Sequence, residues 1–179
     1  MNDDKSQRHP QSTAPYVATG RVTKIDPRAL TTTRRILQAV GQREAGCLWL
    51  GTVEASGDAC VEAVVVPKQT NRPRNFSIAT GTMREVATLA RPQKWALVAA
   101  VHSHPGISVE HSGYDDEMIP SRQALSLVFA YYGTGQGAWP DGVGVHEFID
   151  DYWRLLSAED AAKRVTLAHL PRFQLLDLR

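Results

Sequence analysis

The chain has 179 residues, of which 42% are hydrophobic and 22% charged, with a formal net charge of +1. Those values fit one globular domain with a sizeable core. The charge supplies no global field toward nucleic acid or an anionic membrane, and apolar runs such as Trp95–Val101 are too short to cross a bilayer.

Residues 1–15 are polar, carry prolines and lack the apolar core of a signal peptide, so they read as a disordered leader of a cytoplasmic protein. Residues 16–179 form the expected domain. Tyr16–Ile25 reads as a first strand. Asp26 then fits a helix N-cap, Pro27 the first helical position and Gly41 the residue past the end. Leu30, Ile36, Leu37 and Val40 would make the buried stripe of that helix. Residues 44–67 look like two strands joined by a turn at Ser56-Gly57-Asp58. They hold both cysteines, Cys47 and Cys60, read as buried reduced thiols. Residues 69–75 read as a polar loop, and Phe76–Thr80 as a short strand. Thr82 and Glu85 have capping-box spacing at the start of a helix that should close before Pro92.

Residues 94–104 form a near-continuous apolar run, the pattern of a central strand buried on both faces. A short helix is expected over 112–119, ending before Pro120. Ala124–Gly133 reads as another buried strand, with further strands at 142–149 and 151–156. Between the first two lies a glycine-rich surface loop, residues 133–144. A helix over 158–164 and a short tail close the chain. The expected class is α/β or α+β, one mixed sheet flanked by helices.

The chemistry concentrates in VHSHPGISVEHSGYDDEM, Val101–Met118. His102 and His104 are two apart on a strand, so their imidazoles share a face at the strand end. In α/β sheets, such ends are where sites gather. Asp115, at the start of the next helix, is a candidate third ligand. Two histidines, a carboxylate and a position left to water make a catalytic zinc pattern, and such a centre lowers the pKa of its water and polarises a carbonyl. Each part also has a plainer reading: a polar loop for the histidines, a capping box for Ser112 and Asp115. Ser103 points to the opposite face and reads as structural. Glu110 and His111 read as a solvated loop, and His146 as a hydrogen-bonded strand residue. Asp116 is a weaker candidate ligand, because the spacing selects Asp115.

The combined pattern, HxH-x7-SxxD with Pro105 after the second histidine, resembles the JAMM motif of the MPN+/JAB-domain zinc metalloproteases. Glu44, followed by Gly46, an apolar run and Gly51, resembles the upstream glutamate segment of that family. The resemblance spans about Ser12 to Leu156. It implies one zinc per chain on His102, His104 and Asp115. It makes Glu44 the group that takes a proton from the zinc-bound water and passes it to the leaving amine, and Ser112 the donor to the oxyanion. No G-x-S-x-G elbow competes with this set.

The family cleaves peptide or isopeptide bonds after the C-terminal tail of ubiquitin-like proteins, so the implied partner is such a protein or its conjugate. Asn75–Thr80 could offer an edge for strand addition by that tail. The loops are short, as in compact prokaryotic JAB peptidases. Some of these accompany ubiquitin-activating-like and ubiquitin-conjugating-like enzymes in antiphage defence, and others trim sulfur-carrier proteins. A non-catalytic MPN-type scaffold and a RadC-like protein are the remaining readings. The first is disfavoured because all five site residues are present, the second because no helix-hairpin-helix region precedes the motif.

Overall fold

The computed structural model describes residues 15–135 and 137–179; the expected leader lies outside them except for Pro15. In chain order the elements are β1 (Thr23–Ile25), α1 (Pro27–Gln38), β2 (Gly46–Val53), β3 (Ala59–Val66), β4 (Gln69–Arg72), β5 (Asn75–Ile78), α2 (Thr82–Gln93) and β6 (Ala96–Ser103). Then come α3 (Gly113–Met118), β7 (Leu125–Phe129), a 3-10 turn (Tyr131–Gly133), β8 (Val143–Ile149), β9 (Tyr152–Leu155), α4 (Ala158–Arg164), β10 (Val165–Leu167) and β11 (Gln174–Asp177).

Among the described residues a nine-stranded mixed sheet runs β10-β1-β3-β2-β6-β7-β8-β9, with β11 also paired to β3, and β4 and β5 form a separate hairpin. β6 and β7 are parallel, whereas β2 is antiparallel to both β3 and β6. The expected α+β class, one mixed sheet flanked by helices, is what the chain adopts.

Alternation along β2 explains why its sequence has no polar side chain from Gly46 to Gly51. Cys47 and Trp49 join a core with Leu30, Ile36 and Leu37 of α1. Leu48 and Leu50 join a second core with Val86 and Ala90 of α2. A strand covered on both faces has no solvent side to mark with polar residues. Trp49 is fully buried, and its indole N–H donates to the Thr33 hydroxyl of α1 at 2.9 Å. That bond avoids the cost of about 1–3 kcal/mol for an unpaired buried donor. α1 starts as expected: the Asp26 carboxylate accepts from the Arg28 N–H at 2.8 Å, and Pro27 occupies the first turn.

Several expectations need correction. The first strand is three residues long, not ten. α1 ends at Gln38, so Gly41, at φ +66°, belongs to the following turn. The segment read as a polar loop is mostly strand β4, paired with β5 from Gln69↔Ile78 to Arg72↔Asn75. Thr82 caps nothing: Gly81 is the N-cap of α2 and there is no side-chain cap. Nor does α2 stop before Pro92; it runs to Gln93 and closes on left-handed Lys94. The short tail contributes two sheet strands, β10 against β1 and β11 against β3. Cys47 and Cys60 are free; Cys47 is buried and Cys60 half-buried. Burial pushes the Cys47 thiol up to about 12, against a lowering bond with Thr33, so it is an inert core group.

Candidate metal centre

β6 lies between β2 and β7, and its C-terminal end carries the two histidines. His102 is the register partner of Gly46 on one side and of Val128 on the other. His104 follows the last strand residue, yet its backbone is tied twice. Its N–H donates to the Phe129 carbonyl at 2.9 Å, and its C=O accepts from the Tyr132 N–H at 2.7 Å. Tyr131 and Tyr132 both hold positive φ, 51° and 54°, an uncommon conformation for side-chain-bearing residues. Both imidazoles are buried. Ser103 is structural, its hydroxyl accepting from the Ala45 N–H at 3.3 Å.

α3 brings in the third group. Ser112 is its N-cap in a complete capping box with Asp115. The Ser112 N–H and hydroxyl both donate to Asp115 Oδ2, each at 2.7 Å. The carboxylate is thereby turned toward the histidines. His102 Nε2 lies 3.1 Å from His104 Nε2 and 3.2 Å from Asp115 Oδ1, and His104 Nε2 lies 3.4 Å from Asp115 Oδ2.

Whether a metal fits can be judged from these spacings. Ligand atoms about 2.0–2.2 Å from a tetrahedral ion stand ~3.3–3.6 Å apart, close to what is seen. His104 Nδ1 donates to the Ser108 carbonyl at 3.2 Å. That bond leaves Nε2 of a neutral imidazole with its lone pair facing the cluster, the usual support of a ligating histidine. The donors of His102, His104 and Asp115 all lie within 4.8 Å of one another. Burial raises the Asp115 carboxyl, but its contacts with His102 and His104 outweigh it and hold the group well below the usual carboxylate range, so it is a carboxylate. The three residues therefore suit a cation.

Glu44 precedes β2. Extending the Gly46↔His102 register by two residues sets it level with His104. Its side chain is buried, 7% exposed. Burial raises its carboxyl to about 7, the attraction of His104 opposing the rise. The β4–β5 hairpin holds this segment. Gln69 accepts from the Gly46 N–H and donates to the Gly46 carbonyl, both at 2.8 Å. Asn71 donates to the Glu44 carbonyl at 2.8 Å, and the Glu44 N–H donates to the Arg72 carbonyl at 2.8 Å.

Several residues at the site escaped the sequence reading. Phe76 of β5 stacks on His102, ring centroids 5.7 Å apart. Gly46 makes room for it, since a Cβ there would meet the Phe76 ring; a glycine inside an apolar strand run is the available sequence signal. His111 is buried, not solvated. Its Nδ1–H donates to Asp116 Oδ1 at 2.8 Å, and its Nε2 accepts from the Ser126 hydroxyl at 2.9 Å. It stacks on His146 at 3.7 Å. His146, expected as a hydrogen-bonded strand residue, is buried under that stack with the Ser126 backbone as its polar neighbour. Asp116 pairs with His111 and lies outside the ligand cluster. Glu110 is half-buried on the loop.

Fold and site together define a JAB-type domain: a mixed sheet with a buried His-His-Asp cluster at the carboxyl end of a parallel strand pair. The chain belongs to the prokaryotic homologs of the JAB domain, whose family model matches residues 26–140. No curated protein matches it. Among solved structures it resembles protein DSY2949 from Desulfitobacterium hafniense, with a TM-score of 0.62 at 12% identity, covering 83% of this chain and 94% of that one. It also resembles a protein from Salinibacter ruber, with a TM-score of 0.54 at 20% identity, covering 75% and 88%. At such identities the likeness speaks for the fold alone. No helix among the described residues is long and apolar enough to cross a membrane.

Proposed function

We propose that the chain is a zinc peptidase that hydrolyses the bond after the C-terminus of a ubiquitin-like protein, in a conjugate or a precursor. The observation that carries this reading is the buried His102–His104–Asp115 cluster with Glu44 level with His104. Bound zinc would supply a Lewis acid and a water of lowered pKa.

The residues supply the rest. A Glu44 carboxyl near 7 can take a proton at neutral pH and return it to a leaving amine. Ser112 orients Asp115 through both its N–H and its hydroxyl. For the hydroxyl to donate to an oxyanion it must leave Asp115 Oδ2, while the N–H bond keeps the carboxylate in place. An apolar cleft lined by Phe76, Ile78, Ala100, Met118 and Ile119 opens onto His102 and Asp115. Among the described residues β5 pairs with β4 alone; an extended tail added along its other edge would displace the Tyr114 hydroxyl from the Phe76 carbonyl. The setting we favour is a bacterial ubiquitin-like antiphage pathway with activating-like and conjugating-like enzymes, in the cytoplasm.

The test combines zinc content with cleavage of ubiquitin-like proteins extended at the C-terminus. We expect about one zinc per chain, lost in His102→Ala and Asp115→Ala. Glu44→Ala should keep its zinc and lose ~10²–10⁴-fold in turnover, the usual worth of a general base. Metal retained in both ligand variants would overturn the ligand set. Cleavage confined to sulfur-carrier proteins would redirect the substrate, and no cleavage of either class would sink the peptidase reading.

A further inference from the structure

His111 lies between the ligands in sequence but is not one of them. It packs where α3 meets the sheet. Its ring covers Ser126 of β7 and His146 of β8, which are direct register partners. Trp153 of β9 meets it edge-on at 5.7 Å. The two hydrogen bonds differ in direction. Asp116 accepts as a carboxylate, so Nδ1 carries the proton and Nε2 receives the Ser126 hydroxyl. One imidazole thus joins the residue after Asp115 to the strand beside β6.

α3 has six residues, too few for a helix to persist on its own. Its position relative to His102 and His104 has to come from tertiary bonds. Both chain neighbours of Asp115 carry one: the Tyr114 hydroxyl donates to the Phe76 carbonyl at 3.2 Å, and Asp116 accepts from His111 at 2.8 Å. The Tyr114 bond anchors α3 to the small hairpin, and the His111 bond anchors it to the main sheet. The main sheet also carries both histidine ligands, so the second anchor sets the spacing within the metal cluster.

We propose that His111 is a positioning residue of the metal centre, fixing α3 and hence Asp115 against the strands that carry His102 and His104. The inference rests on the reading of that cluster as a metal site, but not on any hydrolytic activity. The experiment is zinc affinity of the full chain by competition with a chromophoric chelator, with the Co²⁺ absorption spectrum as a report on ligand geometry. His111→Ala should bind zinc ~10–100-fold more weakly, as loss of a group supporting a metal ligand typically does, and should shift the Co²⁺ bands. His111→Asn keeps a donor to Asp116 and should recover much of the loss. Asp116→Ala should weaken binding from the other end of the bond, and Asp116→Asn, which keeps an acceptor, should do so less. A bland packing role would lower the stability of the metal-free chain in His111→Ala but leave the Co²⁺ spectrum and the Asn rescue unmoved. Zinc affinity within twofold of the parent in both His111→Ala and Asp116→Ala would overturn the inference. No zinc binding by the parent chain would overturn the metal centre itself, and this inference with it.

Discussion

His146 is fully buried and neither of its nitrogens makes a well-formed hydrogen bond, although the Ser126 backbone lies close enough to act on it. Burial, then the neighbouring His111 and His102, lowers its pKa well below 6.5. Burial also lowers that of His111, against the raising bond from Asp116. Below pH 6.5 the unfolded chain takes up protons at both positions that the folded chain refuses, so stability is full above that value and falls as the pH drops. A phenylalanine at 146 keeps a ring under His111 and brings no polar atom. His146→Phe puts a larger ring in a fully buried site and should cost about 1–3 kcal/mol at pH 8, but should lose less stability than the parent on going to pH 5.5. Urea unfolding at the two pH values checks both; an equal or larger acid loss would contradict the account. At this scale the strand-end histidines and Asp115 were legible as candidates, because their combined spacing carries the family resemblance that implies the set. The pairing of His111 with Asp116 and Ser126 was not, because nothing local distinguishes a loop histidine facing water from one folded under a helix.

Elements show the same division. β2 was readable because burial on both faces leaves an unbroken apolar run. Its bulge was not: the pairing with β3 shifts between Leu50 and Gly51, and a Cβ on Gly51 would overlap the Cys60 carbonyl. That neighbour is backbone and cannot turn aside. Gly51→Ala should cost about 2–3 kcal/mol, as overpacking does, measured by chemical denaturation; a near-neutral result would mean the bulge relaxes freely. The β4 strand was misread as loop because its residues are polar. Their amides serve the Glu44–Gly46 backbone, so the polarity marks a strand that binds another segment instead of covering a core. In α2, Pro92 falls in the last turn, where losing one backbone donor is tolerable; the expectation that it ends the helix applied an interior rule near an end.

On the scale of the molecule, the centre draws on elements far apart in the chain. His102 comes from β6 and His104 from the residue just past its end, Asp115 from α3, and Glu44 from the segment before β2 that the β4–β5 hairpin clamps. A metal held by His102, His104 and Asp115 together would stabilise the folded chain, since the unfolded chain has no such site. At a hundredfold excess over its dissociation constant, zinc would add about 2.7 kcal/mol, which for a domain of this size is a Tm rise of roughly 5–10 °C. Chelation should reverse that rise in the parent, and His102→Ala should show no zinc-dependent shift. Equal shifts in both proteins, followed by calorimetry, would place the stabilising metal elsewhere.

The sequence by itself determined the class of fold and the central strand, because period-2 burial and capping are local properties of the chain, and its ligand spacing, read with the family resemblance, picked out the His102–His104–Asp115 set. Tertiary structure alone decided how the set is held: Phe76 against His102 over Gly46, the hairpin clamp on Glu44, the Ser112 hydroxyl spent on Asp115, and His111 binding α3 to the sheet. Those contacts join residues distant in sequence, and their energies depend on which neighbours exclude water from each polar group, which no stretch of the chain encodes alone.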